Sequence, residues 1–275
     1  MISSELRDID YERISRLVYE QCGINLHDGK KELVKARLGK RLREGNFRSF
    51  SEYYRYVTTD EGTDELITMI DSLSTNLTYF FREESHFQKL RQVLPDLLST
   101  PYSNERTEKL RLWSAGCSTG EEPYSLAMTV RECINGLAAD VKIMATDIST
   151  KVLRLAIEGI FHKDKLKNVS HVILKRYFQI GCGQWEEHYR IKKDIREMVQ
   201  FSRFNLMDTP PSNYCFDIIF CRNVMIYFDK ATQAALIKRF YDCLNKGGYL
   251  FIGHSESLTG LIHDFKYIEP SVYRK

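Results

Sequence analysis

The sequence predicts an α/β protein built on a mostly parallel sheet, preceded by a small all-helical module. Three observations support this fold class. Residues up to about 73 show helical periodicity, strand and helix patterns alternate from residue 110 onward, and a turn of small side chains joins the first strand to its helix. At 275 residues, the chain is long enough to bury roughly three quarters of its unfolded surface in one large or two modest domains.

Composition narrows the class of protein further. The hydrophobic content of 43% and charged content of 28% are typical of a soluble globular chain, and no apolar run approaches the ~20 residues of a membrane span. The N-terminus lacks a signal or transit pattern, so we expect a cytoplasmic protein without membrane insertion. Seven scattered cysteines without a C-x-x-C motif indicate reduced thiols. Because the net charge is only +3, any basic binding surface must be local.

The N-terminal module is predicted to contain four helices. Their signals, in chain order, are an N-cap at Asp10 with a stop at Gly23, an apolar stripe within residues 30–44, a capping box of Ser49 with Glu52, and apolar spacing at Leu66, Ile70 and Leu73. The second helix carries seven cations against two glutamates. A solvated helix face explains that pattern, but an acidic partner, either nucleic acid or a carboxylate-rich protein surface, is an alternative.

Residues 74–82 break the helical pattern. Asn76, Thr78 and Arg82 are interleaved with three aromatic side chains, which suits a pocket that positions a planar or anionic group. A tight interdomain turn packed by its aromatics is the structural alternative. A further helix follows, and the polar residues 99–109 are predicted to be a linker.

Residues 110–128 predict a strand, a turn of small residues and the start of a helix, and the other predicted elements are placed relative to this segment. Glycines at 116 and 120 flank the turn, and Glu121, Glu122 and Pro123 begin the helix. A pyrophosphate site would have the G-x-G-x-x-G pattern, whereas two carboxylates at a helix start repel phosphate and attract ammonium or sulfonium groups. S-adenosylmethionine carries both cations. The alternative is that the two glutamates only complement the helix dipole.

Polar side chains end the next strands of this Rossmann-like alternation. Asp147 follows strand 141–146, where a carboxylate can accept two ribose hydroxyls, although Asp147 or Ser149 could equally cap the next helix. Asn223 and Tyr227 follow strand 216–221 and are predicted to face the same crevice. We expect His254 to be a hydrogen-bonded structural histidine.

An insertion into the α/β domain is predicted at about residues 177–201. Segments 178–180, 189–191 and 198–201 look like short antiparallel strands around a glycine turn at 181–183. An exposed hairpin edge could recruit an extended peptide by strand addition, or it could be decoration.

Five motifs in this order resemble those of the CheR-type chemotaxis receptor methyltransferases: STNLTYFFRE, WSAGCSTGEEPYS, ATDIS, FCRNVMIYFD and GHSES. The resemblance covers nearly the whole chain. It implies a Rossmann-like class I S-adenosylmethionine-dependent methyltransferase domain that methylates glutamates on the cytoplasmic helices of chemoreceptors. S-adenosylhomocysteine would be the product, and no metal is implied. We expect domains at 1–83 and 110–275, joined by a helix and linker at 84–109.

The same resemblance assigns residue roles. Cofactor contacts are implied for Asn76, Thr78, Arg82, Glu122, Asp147, Asn205, Leu206, Asn223 and Val224. Arg82 and Tyr227 would orient the reacting groups, and Lys31, Lys35, Arg37 and Arg41 would dock the receptor. In some members the β insertion grips a pentapeptide at the receptor C-terminus, and the 181–183 loop resembles that site. One departure is Gly116-Cys117 in place of two alanines.

Three other classes remain as alternatives. A nucleic-acid methyltransferase would suit the basic helix, but the chain has Cys221-Arg222-Asn223-Val224 where Asn/Asp-Pro-Pro-Tyr/Phe is typical. No nucleic-acid partner is therefore expected. A dehydrogenase is disfavoured by the missing third glycine, and a silent binding module by the intact set of polar residues. The sequence does not indicate an oligomer, so a monomer is the default expectation.

Overall fold

The computed structural model describes residues 5–99, 109–134, 139–210 and 215–275, so most of the predicted linker lies outside the described residues. The α-helices are α1 (Asp8–Cys22), α2 (Lys31–Glu44), α3 (Phe50–Val57), α4 (Thr63–Leu73), α5 (Glu84–Ser99), α6 (Glu121–Cys133), α7 (Thr150–Glu158), α8 (His171–Tyr177), α9 (Lys193–Arg196) and α10 (Lys230–Cys243). The strands are β1 (Lys109–Ala115), β2 (Asp140–Asp147), β3 (Ile160–His162), β4 (Phe178–Ile180), β5 (His188–Ile191), β6 (Val199–Arg203), β7 (Phe216–Cys221), β8 (Leu244–Ile252), β9 (Lys266–Glu269) and β10 (Val272–Arg274).

Helices α1 to α4 form the predicted all-helical module around one apolar core that includes Val18, Leu38 and Ile70. The predicted N-cap at Asp10 is wrong, because α1 begins at Asp8 and Asp10 lies inside its first turn, where Arg7 pairs with its carboxylate at 2.8 Å. A carboxylate interacts favourably with the helix dipole at several positions near a helix start, so sequence alone does not identify the capping residue.

The capping box at the start of α3 forms in part. The Ser49 hydroxyl accepts the Glu52 N–H at 3.2 Å, as predicted. The Glu52 carboxylate accepts the N–H of Arg48 at 2.7 Å, one residue before the cap. Both interactions still satisfy backbone donors at the helix entry.

The second domain is built on a seven-stranded sheet in the order β6-β2-β1-β7-β8-β10-β9. The first five strands are parallel, which confirms the predicted α/β fold, and β10 runs antiparallel to both of its neighbours. Alternate residues of β1 enter two different cores, Leu112 on one face and Trp113 on the other. Because both faces are covered, the carboxyl edge of the sheet is the place where a ligand can approach.

A separate three-stranded antiparallel sheet, in the order β3-β5-β4, corresponds to the predicted insertion. The prediction for residues 198–201 is wrong, because β6 pairs in parallel with β2 in the main sheet. The third strand of the small sheet is β3, before the predicted insertion. Alternation of apolar side chains indicates a strand but does not identify its neighbour or direction.

The helical module packs directly against the sheet domain. The Tyr19 hydroxyl lies 2.7 Å from the Asp229 carboxylate, and the Asn205 side chain donates to the Gln21 carbonyl at 2.6 Å. Phe80 already belongs to the core of the sheet domain, together with α5 residues such as Phe87. Among the described helices, none combines the length and apolarity that a membrane crossing requires.

Candidate active site

A cleft that is partly open to solvent lies at the carboxyl edge of β1, β2 and β7, and residues 73–78 with Arg82 close one side of it. It brings together all ten residues that the resemblance assigned to the cofactor and the reacting groups. These are Asn76, Thr78, Arg82, Glu122, Asp147, Asn205, Leu206, Asn223, Val224 and Tyr227. Although these residues are dispersed along the sequence, they share one concave surface, which is the expected character of a small-molecule site.

The turn after β1 needs its two glycines. Gly116 has φ +86° and Gly120 has φ +96°, conformations that strain other residues. A Cβ atom at Gly116 would lie 2.4 Å from Cγ2 of Val224, so the turn approaches the segment after β7 without space for a side chain. The N–H groups of Gly116 and Cys117 both donate to the Thr146 carbonyl, at 2.8 and 2.9 Å. The turn is therefore fixed to the end of β2.

Asp147 ends β2 and is held by backbone donors on both sides. Its Oδ2 accepts the Ser118 N–H at 2.8 Å and its Oδ1 accepts the Ser149 N–H at 2.9 Å. Ser149, and not Asp147, caps α7 through the Val152 N–H, which decides between the two capping predictions. Burial raises the pKa of Asp147, while the two backbone hydrogen bonds oppose the rise. Each carboxylate oxygen retains acceptor capacity, so the group can receive two hydroxyls.

Glu122 lies at the start of α6 and is held by two donors. The Ser114 hydroxyl donates to Oε1 at 2.7 Å, and Nη1 of Arg222 donates to Oε2 at 3.2 Å. Burial raises the pKa of Glu122, and the Arg222 charge opposes the rise. Its neighbour Glu121 is fully buried and pairs with Lys165 at 3.3 Å, so the two adjacent glutamates have different environments.

Arg222 is the central charged residue of the cleft, and no role was predicted for it from the sequence. Its side chain is 1% exposed, and its Nη2 donates to Glu83 Oε2 at 3.0 Å and to the Arg82 carbonyl. The guanidinium lies 5.7 Å from the ring centres of both Phe87 and Phe220. Burial acts against ionisation of Glu83, but the Arg222 charge and hydrogen bonds lower its pKa overall.

Glu256 is a second residue that the sequence analysis missed. Its carboxylate accepts the backbone N–H groups of Gly253 at 2.6 Å, Asn223 at 2.9 Å and Ile226 at 3.2 Å. This single acid therefore shapes the segment after β7 that carries Asn223 and Tyr227. In the sequence, Glu256 is marked by its place in the GHSES motif, but that motif does not indicate which residues Glu256 contacts.

Several backbone conformations around the cleft are unfavourable for residues other than glycine. Phe81, Glu83, Ser118 and Asn223 have φ of +55°, +57°, +49° and +59°. Such conformations persist only where the surrounding contacts determine them, and they are common at binding sites. Here Asp147 accepts the N–H of Ser118 and Glu256 accepts the N–H of Asn223, and these hydrogen bonds stabilise the two conformations.

Arg82 and Tyr227 lie on opposite polypeptide segments of the cleft. The Arg82 guanidinium donates to the Leu77 carbonyl at 2.7 Å and lies 5.8 Å from the centre of the Tyr79 ring. Tyr227 ends a short 3₁₀ helix, Met225–Tyr227, and its carbonyl accepts the Asn25 N–H at 2.8 Å. The backbones that carry the two side chains are linked through Arg222, which donates to the Arg82 carbonyl.

Behind Arg222, ligand atoms of Glu83, His86 and His254 lie within 4.8 Å of one another. His254 is hydrogen-bonded to Ser85 at 3.1 Å. A divalent cation here would face the Arg222 guanidinium, which already neutralises Glu83, and like charges repel strongly at buried sites. This cluster therefore fits a metal ion poorly.

The four predicted docking cations lie on α2, none of them is part of the cleft lining, and three of them have partners within the protein. Arg37 donates to the carbonyls of Leu73 at 2.7 Å and Ser74 at 2.9 Å, and Arg41 pairs with Glu65. Lys31 pairs with Asp8. Lys35 is partly exposed, and within the described ranges no ion pair engages it.

The main sheet has five parallel strands followed by β10, which runs antiparallel to its neighbours. This sheet, together with the acid-lined cleft at its carboxyl edge, defines the protein as an S-adenosylmethionine-dependent methyltransferase. The family description "CheR methyltransferase, all-alpha domain" matches residues 9–74, and "CheR methyltransferase, SAM binding domain" matches residues 76–274. The chain belongs to the CheR methyltransferase family.

Three similar proteins support this assignment. The chemotaxis protein methyltransferase of Borreliella burgdorferi is 42% identical, with 97% of this chain and 94% of that protein aligned. The Escherichia coli protein of that name is 40% identical over 98% of this chain and 91% of its own length. Chemotaxis protein methyltransferase 2 of Pseudomonas aeruginosa is 38% identical over 96% of this chain and 92% of its own length.

Proposed function

We propose that this protein transfers a methyl group from S-adenosylmethionine to glutamate side chains on the cytoplasmic helical domain of chemoreceptors. The product would be a glutamate methyl ester that serves sensory adaptation. The observation that carries the proposal is the gathering of all ten assigned residues in one cleft. The names of the similar chemotaxis methyltransferases support the choice of acceptor.

The cleft residues fit the methyl donor chemically. Asp147, held by two backbone donors, has acceptor capacity for two ribose hydroxyls. Glu122 supplies a carboxylate for the amino group, and Arg82 supplies a cation for the carboxylate of the donor. Asn76, Thr78, Asn205 with Leu206, and Asn223 with Val224 complete the proposed contacts. When bound, S-adenosylmethionine supplies a methyl group that is activated by its sulfonium charge.

The acceptor needs no general base. A glutamate side chain has a pKa of about 4.3, so at neutral pH it is already a carboxylate nucleophile. A carboxylate oxygen forms the new bond to the methyl carbon, the carbon–sulfur bond breaks, and its electron pair stays on sulfur, which gives S-adenosylhomocysteine. Arg82 and Tyr227 orient the acceptor carboxylate by hydrogen bonds. The negative carboxylate and the positive sulfonium lose their charges in this step, so strong stabilisation of either ion would slow it.

Two surfaces are proposed for the receptor. The basic face of α2 would meet acidic receptor helices, with Lys35 more available than Lys31, Arg37 and Arg41, which have partners within the protein. Strand β4 is an edge of the small sheet, and the exposed Ile180 next to the 181–183 loop would favour addition of the receptor's C-terminal pentapeptide as a further strand. We place the protein in the cytoplasm, as a monomer that uses no metal. We propose domain limits of 1–83 and 110–275, with Phe80 of the first segment packed into the core of the second domain.

The test is transfer of a labelled methyl group to membranes that contain chemoreceptors, followed by mild alkali. Release of the label as volatile methanol is expected, since a carboxyl ester is alkali-labile. Label that survives alkali would exclude a glutamate ester, and label lost on nuclease treatment would indicate nucleic acid as acceptor. Arg82→Lys should reduce transfer, whereas the matched control Arg91→Lys, on α5 and paired with Glu84, should not.

A further inference from the structure

We propose that Arg222 is a positioning residue of the cleft: its buried guanidinium ties Glu122 to Glu83 and keeps the Glu122 carboxylate charged and in place for the cationic end of the methyl donor. This inference rests on the proposed function, because it assumes that Glu122 meets the amino group of the donor. Arg222 itself is part of the cleft lining.

Arg222 uses most of its N–H donors in hydrogen bonds to Glu83, Glu122 and the Arg82 carbonyl. Nη1 reaches Glu122 Oε2 at 3.2 Å, Nε and Nη2 reach Glu83 Oε2 at 3.3 and 3.0 Å, and Nη2 also donates to the Arg82 carbonyl. One planar group thereby joins α6, the segment after β7 and the 74–83 segment. A lysine ammonium lacks this rigid fork and would not hold all three partners together.

The charge of this cluster is suited to a cationic ligand. Arg222 contributes one positive charge against the carboxylates of Glu83 and Glu122, so the cluster keeps one negative charge. The Arg222 side chain is 1% exposed and lies beside two phenylalanine rings, so the surrounding solvent screens these charges little. An ammonium group bound at Glu122 would neutralise the remaining charge.

The ionisation of Glu122 depends on its neighbours. Burial raises its pKa, the charge of Arg222 lowers it, and the charge of Glu83 raises it. The hydroxyl of Ser114 also favours the ionised form. The charged or titratable groups that face Glu122 are Arg82, Glu83, Arg222 and the buried thiols of Cys117 and Cys221. Removal of the Arg222 charge should therefore raise the pKa of Glu122, and removal of the Glu83 charge should lower it.

The experiment is calorimetric titration of the full chain with S-adenosylhomocysteine, which keeps the amino group, between pH 5.5 and 8.5. Arg222→Met should weaken binding at pH 7 by about tenfold or more, because a charge-assisted contact is lost, and affinity should recover as the pH rises. Glu83→Gln should extend tight binding to lower pH. Arg111→Met is the matched control, because Arg111 lies on β1 and pairs with Asp140, outside the cleft lining.

Two results would overturn the proposal. One is wild-type affinity and pH dependence in Arg222→Met, and the other is a loss of affinity that is equal at every pH, which would indicate only a structural role. If Arg222→Met does not fold by circular dichroism, Glu83→Gln decides, since an unchanged pH profile there contradicts the proposed coupling. Wild-type protein that fails to bind S-adenosylhomocysteine would refute the proposed function itself. Wild-type binding without methylation of receptors would refute only the acceptor and leave the role of Arg222 standing.

Discussion

Asn25 and Tyr227 are joined by a backbone hydrogen bond of 2.8 Å, from the N–H of Asn25 to the carbonyl of Tyr227. Asn25 follows α1 of the helical module, whereas Tyr227 follows β7 of the sheet domain. The Tyr19 hydroxyl adds a second link nearby, to Asp229 at 2.7 Å. The position of Tyr227 in the cleft therefore depends on the contact between the two domains.

We expect Tyr227→Phe to reduce turnover without weakening cofactor affinity. Within the part of the chain that the structure describes, no hydrogen bond engages the Tyr227 hydroxyl, so its removal should change the free energy of unfolding by less than about 1 kcal/mol. A hydrogen bond to the acceptor carboxylate would be lost, which corresponds to a fall in kcat of about tenfold or more. Receptor methylation kinetics and S-adenosylhomocysteine titration measure the two effects. Tyr267→Phe, at an exposed tyrosine, is the control, and an unchanged kcat in Tyr227→Phe would contradict the assigned role.

Asp147→Asn should weaken cofactor binding and also destabilise the fold. The carboxylate accepts N–H groups from Ser118 and Ser149, and an amide would place an NH₂ group against one of these donors. The expected loss is about 1–3 kcal/mol in the free energy of unfolding, measured by chemical denaturation. Ser149→Ala is the matched control, since it removes the α7 cap at a cost of about 1 kcal/mol but leaves the Asp147 contacts. Equal cofactor affinity in both variants would argue against a direct contact from Asp147.

Only some of the residues that share the cleft have a local signature in the sequence. Asp147 could be placed because it ends β2, and Glu122 because it lies in the first turn of α6, the helix that follows β1. Parallel strands bring their carboxyl ends to one edge. Asn205 and Leu206 came only from the resemblance. The residues around Arg82 indicated a pocket, but no pattern in that segment indicates which strand end it approaches.

Contacts that depend on long-range packing leave no local signal in the sequence. Arg222 meets Glu83 across 139 positions and Asn223 meets Glu256 across 33, and neither charge pattern nor periodicity relates such positions. The error at β6 has the same cause, because its partner β2 lies more than 50 residues earlier. Local patterns give the elements, whereas tertiary packing decides which of them meet.

Stability should fall in acid partly because of His86. Burial, followed by the charge of Arg222, lowers its pKa from 6.5 to about 3, although Glu83 acts in the opposite direction. The unfolded chain therefore binds the proton first. This contribution to stability is complete above pH 6.5 and is lost as the pH falls toward 3, which amounts to about 2 kcal/mol by pH 5.

His86→Phe should remove that part of the pH dependence, since phenylalanine does not titrate and can pack against the neighbouring Phe251 ring. The measurement is the free energy of unfolding at pH 7 and pH 5 for the variant and the wild type. The control is His171→Phe at an exposed histidine, which should keep the wild-type slope. If His86→Phe also keeps that slope, a neutral buried His86 is not the cause.

The basic residues of α2 should separate into structural and docking groups. Arg41→Gln breaks a pair with Glu65 in which the side chains are 21% and 16% exposed, so we expect a loss of about 1–3 kcal/mol in the free energy of unfolding. Lys35→Glu should leave stability within about 0.5 kcal/mol, because no ion pair engages Lys35 within the described ranges. It should instead raise the KM for receptor several-fold at low salt and by less at high salt, since exposed charges are screened.

Kinetics at two ionic strengths and titration with S-adenosylhomocysteine distinguish these effects. Cofactor affinity should be unchanged in Lys35→Glu, because Lys35 does not line the cleft. Lys193→Glu, on α9, makes the same charge change at an exposed site whose only described ion pair is a loose contact with Glu197 at 3.6 Å, and it should leave the KM for receptor unaltered. If Lys35→Glu and Lys193→Glu raise KM equally, the receptor responds to net charge and α2 is not a specific docking surface.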